Sequence, residues 1–451
     1  MSQHVIIIGG GPAGIEAART VVARGGRASL ISDQPIGGRA GWDSLLPSKI
    51  WLSAAEARDE ARAAAVFGVA NPAEVDAPAV LRRLAVARER WNEQQRAELE
   101  GLGVELLTGT ASFVSPGEIE VEVGGARTRR VADRFVVASG SVPWFPDGLK
   151  PDGKRVLAPR FASHLQALPR SIVVIGGGAT GCEYAYLFLA LGARLTWIVD
   201  EFGVLPTFHP DAGQALAAAF VARGATVVEG RTAVGIDRSE TGVAVTLAGG
   251  EQHKAEVAFV AIGRRPDWSR LNLAAAGIEP RDGRLALDSY GRTVNPAVYL
   301  VGDTDGGVMV ANKAMAQARV AAQHALGLPT RPYDPERVLL AVYSEPQVAQ
   351  VGRLAGQGVA VARVPYSAGL KPHLRGEMGG FVMLAADERD GRVTGALAVG
   401  ARAAEVLAPV VVALHTSATV AQLAAAYAAH PTHAELLFLA ARAFEEACGG
   451  L

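Results

Sequence analysis

Two sets of glycines carry the first chemical signal. Gly9, Gly11 and Gly14 fall in VIIIGGGPAGIEAA, residues 5–18, and Gly176, Gly178 and Gly181 fall in IVVIGGGATGCEYA, residues 172–185. Each set has the spacing GxGxxG, follows an apolar run that reads as a buried strand, and opens a helix-forming stretch. Glycine permits the tight turn and close backbone approach, and the helix that follows presents unpaired N–H groups that suit a pyrophosphate. Pro12 and Ala13 lie inside the first turn. A second strand pattern follows each turn and ends in an acid, ASLIS before Asp33 and RLTWIV before Asp200. Both acids stand at the same offset from the third glycine, where a carboxylate accepts hydrogen bonds from a ribose. A single such turn is weak evidence; two complete copies predict two dinucleotide sites.

The elements that must hold these turns follow from the rest of the chain. A length of 451 residues sets a prior of about three domains at roughly 150 residues each. Residues 51–66 and 78–100 have helical periodicity and are expected outside the first domain. Short strands follow, such as EIEVEV (118–123), and from Pro329 the pattern changes to antiparallel strands and Ala-rich helices, which reads as a separate α+β domain. The stretch 403–415 is apolar enough to suggest a membrane helix, but Glu405, Pro409 and His415 interrupt it, and buried packing is expected. A net charge of −1 carries no field for nucleic acid or anionic lipid. Two cysteines, Cys182 and Cys448, support neither a disulfide framework nor a metal site. With no charged leader before the first strand and no long apolar span, a cytoplasmic protein without integral membrane association is expected.

The two turns, then ASGSVP (138–143), AIGRRPD (261–267), VYLVGDTDGG (298–307) and AAHPTHAELL (428–437), occur in an order that resembles the flavin-dependent pyridine nucleotide disulfide oxidoreductases. The resemblance covers nearly the whole chain. It implies an α/β fold with two Rossmann-like dinucleotide-binding domains plus a C-terminal α+β dimerisation domain, and a homodimer. The implied boundaries are 1–147 and 268–328 for a split FAD domain, 148–267 for an NAD(H) domain and 329–451 for the interface domain. Besides the glycines, it assigns Gly38, Arg39, Ser139, Gly140, Gly263, Arg264, Gly302, Asp303 and Ala311 to cofactor binding. Asp303 is expected at the ribityl chain, and the helix starting near Ala311 is expected to aim its positive end at the flavin pyrimidine ring. Asp33 is expected at the FAD ribose, with Ser32 as the alternative.

Against that family pattern, one departure dominates. Where the family carries two redox cysteines, in GGTCxxxGCxPSK, this chain reads GGRAGWDSLLPSK from Gly37 to Lys49. Ala40 and Leu45 stand in the cysteine positions, and neither can take part in thiol–disulfide exchange. Pro47, Ser48 and Lys49 keep the PSK signature, and Glu183 matches the acid that pairs with that lysine near flavin N5. His430 and Glu435 match the HPTxxE pair, which in the family reaches across the dimer; their use is either as a general acid system for another acceptor or as interface support. His433 is expected to be an exposed helix residue.

Asp200 favours NADH over NADPH, because an acid there repels a 2′-phosphate and no arginine lies between Asp200 and Pro210 to receive one. Ala179 leaves the nicotinamide pocket less obstructed than in relatives with a gating tyrosine. Asn312 and Ala318 depart from the family's usual His and Gly near the flavin helix and are expected only to retune packing. Cys182 reads as a buried small residue.

The expected activity is an FAD-dependent NADH oxidoreductase that hands electrons directly to a small, quinone-like acceptor, in a slot lined by Ala40, Trp42 and Leu45. Lys49, Glu183, His430 and Glu435 are the expected catalytic residues. The alternatives are a pyridine nucleotide transhydrogenase and a redox sensor that binds NADH and FAD without turnover.

Overall fold

The computed structural model describes residues 2–69 and 74–448, with the Cys448 side chain outside that set. The strand His4–Ile8 is apolar on both faces because it lies inside a five-stranded parallel sheet, in the order Val298–Leu300, Arg134–Val137, His4–Ile8, Arg27–Ser32, Glu105–Thr108. The second glycine turn repeats this plan. Ser171–Ile175 is central in the order Thr226–Val228, Arg194–Ile198, Ser171–Ile175, Val257–Val260, Val156–Leu157. In both sheets the central strand runs straight into its glycine turn and then a helix, Pro12–Ala23 in the first case and Ala179–Ala190 in the second. Both turns therefore open at the carboxyl ends of parallel strands, where doubly wound sheets bind ligands.

Residues 340–400 form a five-stranded antiparallel sheet, Leu340–Val342, Gln347–Gly352, Val393–Gly400, Phe381–Asp387 and Val359–Pro365 in spatial order, packed against the helices Ala403–Thr416 and Glu435–Cys448. Ala403–Thr416 buries Val406, Leu407 and Val410 on one face, so its apolar character serves packing. Among the described residues no helix is long and apolar enough to cross a membrane. Helix Leu45–Ala63 ties the parts together. Its fully buried Trp51 belongs to one apolar cluster with Phe188 and Trp197 of the second sheet's layer and Val342 and Leu397 of the third. The joint between the dinucleotide halves is a two-stranded crossing in which Arg264–Pro266 pairs antiparallel with Ser141–Pro143.

Candidate functional site

A continuous cleft of about 1060 Å³ runs from the first glycine turn to the second. Its walls hold Gly9, Gly11, Pro12, Ala13, Ser32, Asp33, Gly38, Arg39, Lys49, Ser139, Gly140, Gly176, Gly178, Glu183, Asp200, Gly263, Arg264, Gly302, Asp303 and Ala311. Gly14 and Gly181 stand behind the turns: a Cβ on Gly14 would lie 1.8 Å from the Gly9 carbonyl oxygen, and one on Gly181 would lie 2.0 Å from that of Gly176. At Gly11 and Gly178, by contrast, nothing lies within 4 Å of an added Cβ. The backbone is closed on the sheet side and open on the cleft side, as close approach of a pyrophosphate requires, so the residues present fit two dinucleotides.

The middle of the cleft is a network of charge. Ser141 is its hub: its Oγ donates to Asp303 Oδ2 at 2.6 Å and accepts from Arg264 Nε at 2.9 Å, while Arg264 Nη2 donates to the Ser141 carbonyl at 2.7 Å. Arg39 reaches the same carboxylate and hydroxyl, both at 3.4 Å. Burial pushes the Arg39 guanidinium below its usual range, and Asp303 only partly offsets this. Beneath Asp303 a second cluster fixes the turn Gly302–Asp305. Lys313 Nζ donates to Asp305 Oδ1 at 2.5 Å, Gln317 donates to Asp305 Oδ2 at 2.7 Å, and the Gly302 N–H donates to Gln317 Oε1 at 2.9 Å. Helix Ala311–Ala325 supplies Lys313 and Gln317, and Ala311 at its start lies on the cleft wall, so its dipole favours negative charge there.

Lys49 and Glu183 meet as the sequence predicts. Lys49 Nζ donates to both carboxylate oxygens of Glu183, at 2.8 and 2.7 Å. Tyr343, from the C-terminal sheet, completes the arrangement: its N–H donates to Glu183 Oε1 at 3.1 Å, and its ring centroid lies 4.7 Å from Lys49 Nζ. A cation over an aromatic face gains electrostatically without losing its ion pair. Burial and the Glu183 charge raise the Tyr343 phenol above its ordinary range, which keeps it neutral. Ala40 and Leu45 line the cleft, and among the described residues no cysteine does. Cys182 is buried with its Sγ donating to the Gly177 carbonyl at 3.4 Å, and burial pushes its thiol well up.

Three expectations need correction or fall elsewhere. Trp42 does not line the slot: its indole N–H donates to the Ile36 carbonyl at 3.0 Å, and the Arg88 guanidinium covers its ring at 4.9 Å. Residues 40 and 42 share the short helix Gly38–Trp42, and positions two apart on a helix face different ways. His433 is neither exposed nor helical. It precedes helix Glu435–Cys448, its side chain is 13% exposed, and Nε2 lies 3.0 Å from Glu377 Oε2. The Cys448 side chain lies outside the described residues.

His430 and Glu435 pair with each other, Nδ1 to Oε1 at 2.8 Å, but neither lies on the cleft wall of the same chain. Burial raises the Glu435 carboxyl, yet the Thr432 N–H at 2.8 Å and the His430 ring bring it below its ordinary range. The two ribose-acid candidates also differ. Ser32 Oγ donates to the Gln34 carbonyl at 2.7 Å, whereas the Asp33 carboxylate is held by Arg270 at 2.6 Å. Asp200 Oδ1 accepts from the Phe202 N–H at 3.2 Å. Ser141, Arg270, Lys313 and Tyr343 were not expected at the site. Ser141 alone had a signal, since it sits inside the ASGSVP segment.

Residues 3–318 match the family model described as pyridine nucleotide-disulphide oxidoreductase, and residues 338–441 match that family's dimerisation domain. The chain belongs to this family. Its members join a flavin to pyridine nucleotide chemistry, so the protein is a flavin-dependent pyridine nucleotide oxidoreductase. Among relatives, an NAD(P)H dehydrogenase (quinone) of Mycobacterium tuberculosis strain H37Rv is 29% identical, over 98% of this chain and 94% of the relative. A dihydrolipoyl dehydrogenase of Chlorobaculum tepidum is 32% identical, over 96% of this chain and 94% of the relative. The crystal structure of LpdA from Mycobacterium tuberculosis superposes with a TM-score of 0.92 at 29% identity, covering 98% of this chain and 99% of that one. The two-turn cleft and C-terminal domain are thus the family's architecture, while the acceptor differs among its members by name.

Proposed function

We propose that this chain is an NADH oxidoreductase that passes electrons from reduced FAD directly to a small acceptor, a quinone, as a cytoplasmic homodimer with no disulfide relay. The observation that carries the reading is the cleft wall itself, where Ala40 and Leu45 stand near a retained Lys49–Glu183 pair and no described cysteine is present. The balance is NADH, a quinone and a proton giving NAD⁺ and a quinol. When bound, FAD accepts the hydride and passes on its two electrons. Asp303, with Ser141 and Arg264 behind it, would hold the ribityl chain. Glu183 holds the Lys49 ammonium on the cleft wall, where its compact charge would offset negative charge on a reduced flavin. Asp200 takes the ribose hydroxyls of NADH and disfavours a 2′-phosphate, which also weakens the transhydrogenase alternative. Ala40 and Leu45 give the acceptor an apolar seat.

His430 of the second protomer gives the balancing proton to the anionic oxygen of the reduced quinone, oriented by Glu435 as the Nδ1 contact allows. His430→Ala is expected to slow quinone-driven reoxidation by about 100-fold and to leave reduction by NADH unchanged. Equal slowing of both half-reactions would remove that role. The test of the whole reading is anaerobic: reduce the flavin with one equivalent of NADH, add a benzoquinone and follow the flavin absorbance. Prompt reoxidation, faster than with NADP⁺, supports it. A flavin that stays reduced overturns it in favour of transhydrogenation or sensing.

A further inference from the structure

Phe202 lies two residues after Asp200, on the connection between strand Arg194–Ile198 and helix Pro210–Ala222. Its side chain is among the most open large apolar groups of the molecule, 71% exposed, yet it lines the cleft beside Asp200, Gly203 and Pro206. The loop beneath it is fixed. The Phe202 N–H donates to Asp200 Oδ1, the Gly203 N–H to the Asp200 carbonyl at 3.2 Å, and the Leu205 N–H to the Gly177 carbonyl at 2.8 Å. A Cβ on Gly177 would lie 2.4 Å from the Gly203 carbonyl oxygen, so the loop rests directly on the second glycine turn. An exposed phenyl ring gains nothing from water, and held on a fixed loop inside a ligand cleft it gains most from a flat apolar face laid over it. A purine attached to the ribose that Asp200 receives is such a face.

We infer that Phe202 is the adenine platform of the second dinucleotide site: it stacks on the base of NADH while Asp200 holds the adjoining ribose. The inference rests on the proposed use of NADH at that site. The two residues divide recognition between them. Asp200 reads the 2′ position, and Phe202 reads whether an adenosine half is present at all. Because every base has a π face, stacking tolerates the identity of the base but not its absence.

Three probes test this on the FAD-loaded dimer: NADH, reduced nicotinamide mononucleotide, which has no adenosine, and ADP-ribose, which has no nicotinamide. In Phe202→Ala the NADH concentration that half-saturates flavin reduction should rise about tenfold at an unchanged limiting rate, and Phe202→Tyr should restore it. Half-saturation by reduced nicotinamide mononucleotide should not move. Calorimetry with ADP-ribose on the oxidised protein should show the same tenfold loss without any turnover. An unmoved NADH response, or equal weakening of NADH and the mononucleotide, overturns the platform. If NADH fails to reduce even the unsubstituted protein while ADP-ribose still binds in a Phe202-dependent way, the platform stands and the NADH reading falls.

Discussion

The two glycine turns have nearly the same backbone and different surroundings. Gly9 and Gly176 adopt φ of 114° and 119°, and the third glycine of each set packs against the carbonyl of the first. Beyond that core they diverge. The first turn has the start of helix Gly38–Trp42 against its backbone, where a Cβ on Gly38 would lie 2.9 Å from the Gly11 Cα, and its acid Asp33 is already engaged by Arg270. The second has the Gly203 loop against its backbone instead, with no cation on Asp200 among the described contacts and Phe202 standing largely in solvent. That difference fits the proposed division of the two sites. An acid held in place by a cation suits a cofactor that stays, and an acid without one beside an exposed ring suits a nucleotide that enters and leaves in each cycle.

The largest expected effect separates the turns by substitution at equivalent glycines. In Gly14→Ala the new methyl group overlaps the Gly9 carbonyl, an overpacking of about 1–3 kcal/mol that should leave the purified protein about tenfold or more depleted in flavin. Gly181→Ala should keep the flavin and lose reduction by NADH to a similar degree. Equal flavin loss in both, measured by absorbance after gel filtration, would mean that the turns are not independent. A smaller effect is expected at the acids. Asp200→Ser removes a charged hydrogen-bond acceptor worth about 1.5–3 kcal/mol, so the ratio of kcat/KM for NADH over NADPH should fall about tenfold, while FAD affinity holds. The smallest effect is expected from Arg270→Ala. Its contact with Asp33 is mostly exposed, and such pairs contribute about 0–1 kcal/mol. The FAD dissociation constant should therefore change by less than about fivefold, and a larger loss would show that Arg270 touches the cofactor itself.

Both glycine turns were legible because their chemistry is local: strand, turn, helix and acid follow one another within a few dozen residues. The Lys49–Glu183 pair was legible only through the family pattern, since 134 residues separate its members. Tyr343 left no trace in the sequence, because one of its contacts is a backbone N–H that any non-proline residue carries and the other is a ring brought to Lys49 from the end of a distant strand. Trp42 was misplaced because a segment read as a slot lining folds as one turn of helix, which sends alternate side chains apart. His433 was misplaced because it stands just before helix Glu435–Cys448 and faces Glu377, which follows helix Leu370–Arg375, and neither period nor spacing links the two.

The contact between the Tyr343 backbone and Glu183 also bears on how the protein is made. The cleft wall draws on residues from Ile8 to Ala404, and the carboxylate that steadies Lys49 gains its third hydrogen bond only from position 343 of 451. A ribosome releases the two dinucleotide sheets first, as units able to begin folding on their own. The nascent chain nevertheless cannot complete the Lys49–Glu183–Tyr343 arrangement until about three quarters of it has emerged. Completion of the proposed reaction site is therefore a late event of synthesis, and a chain cut short before the third sheet would carry both glycine turns without the third hydrogen bond to Glu183.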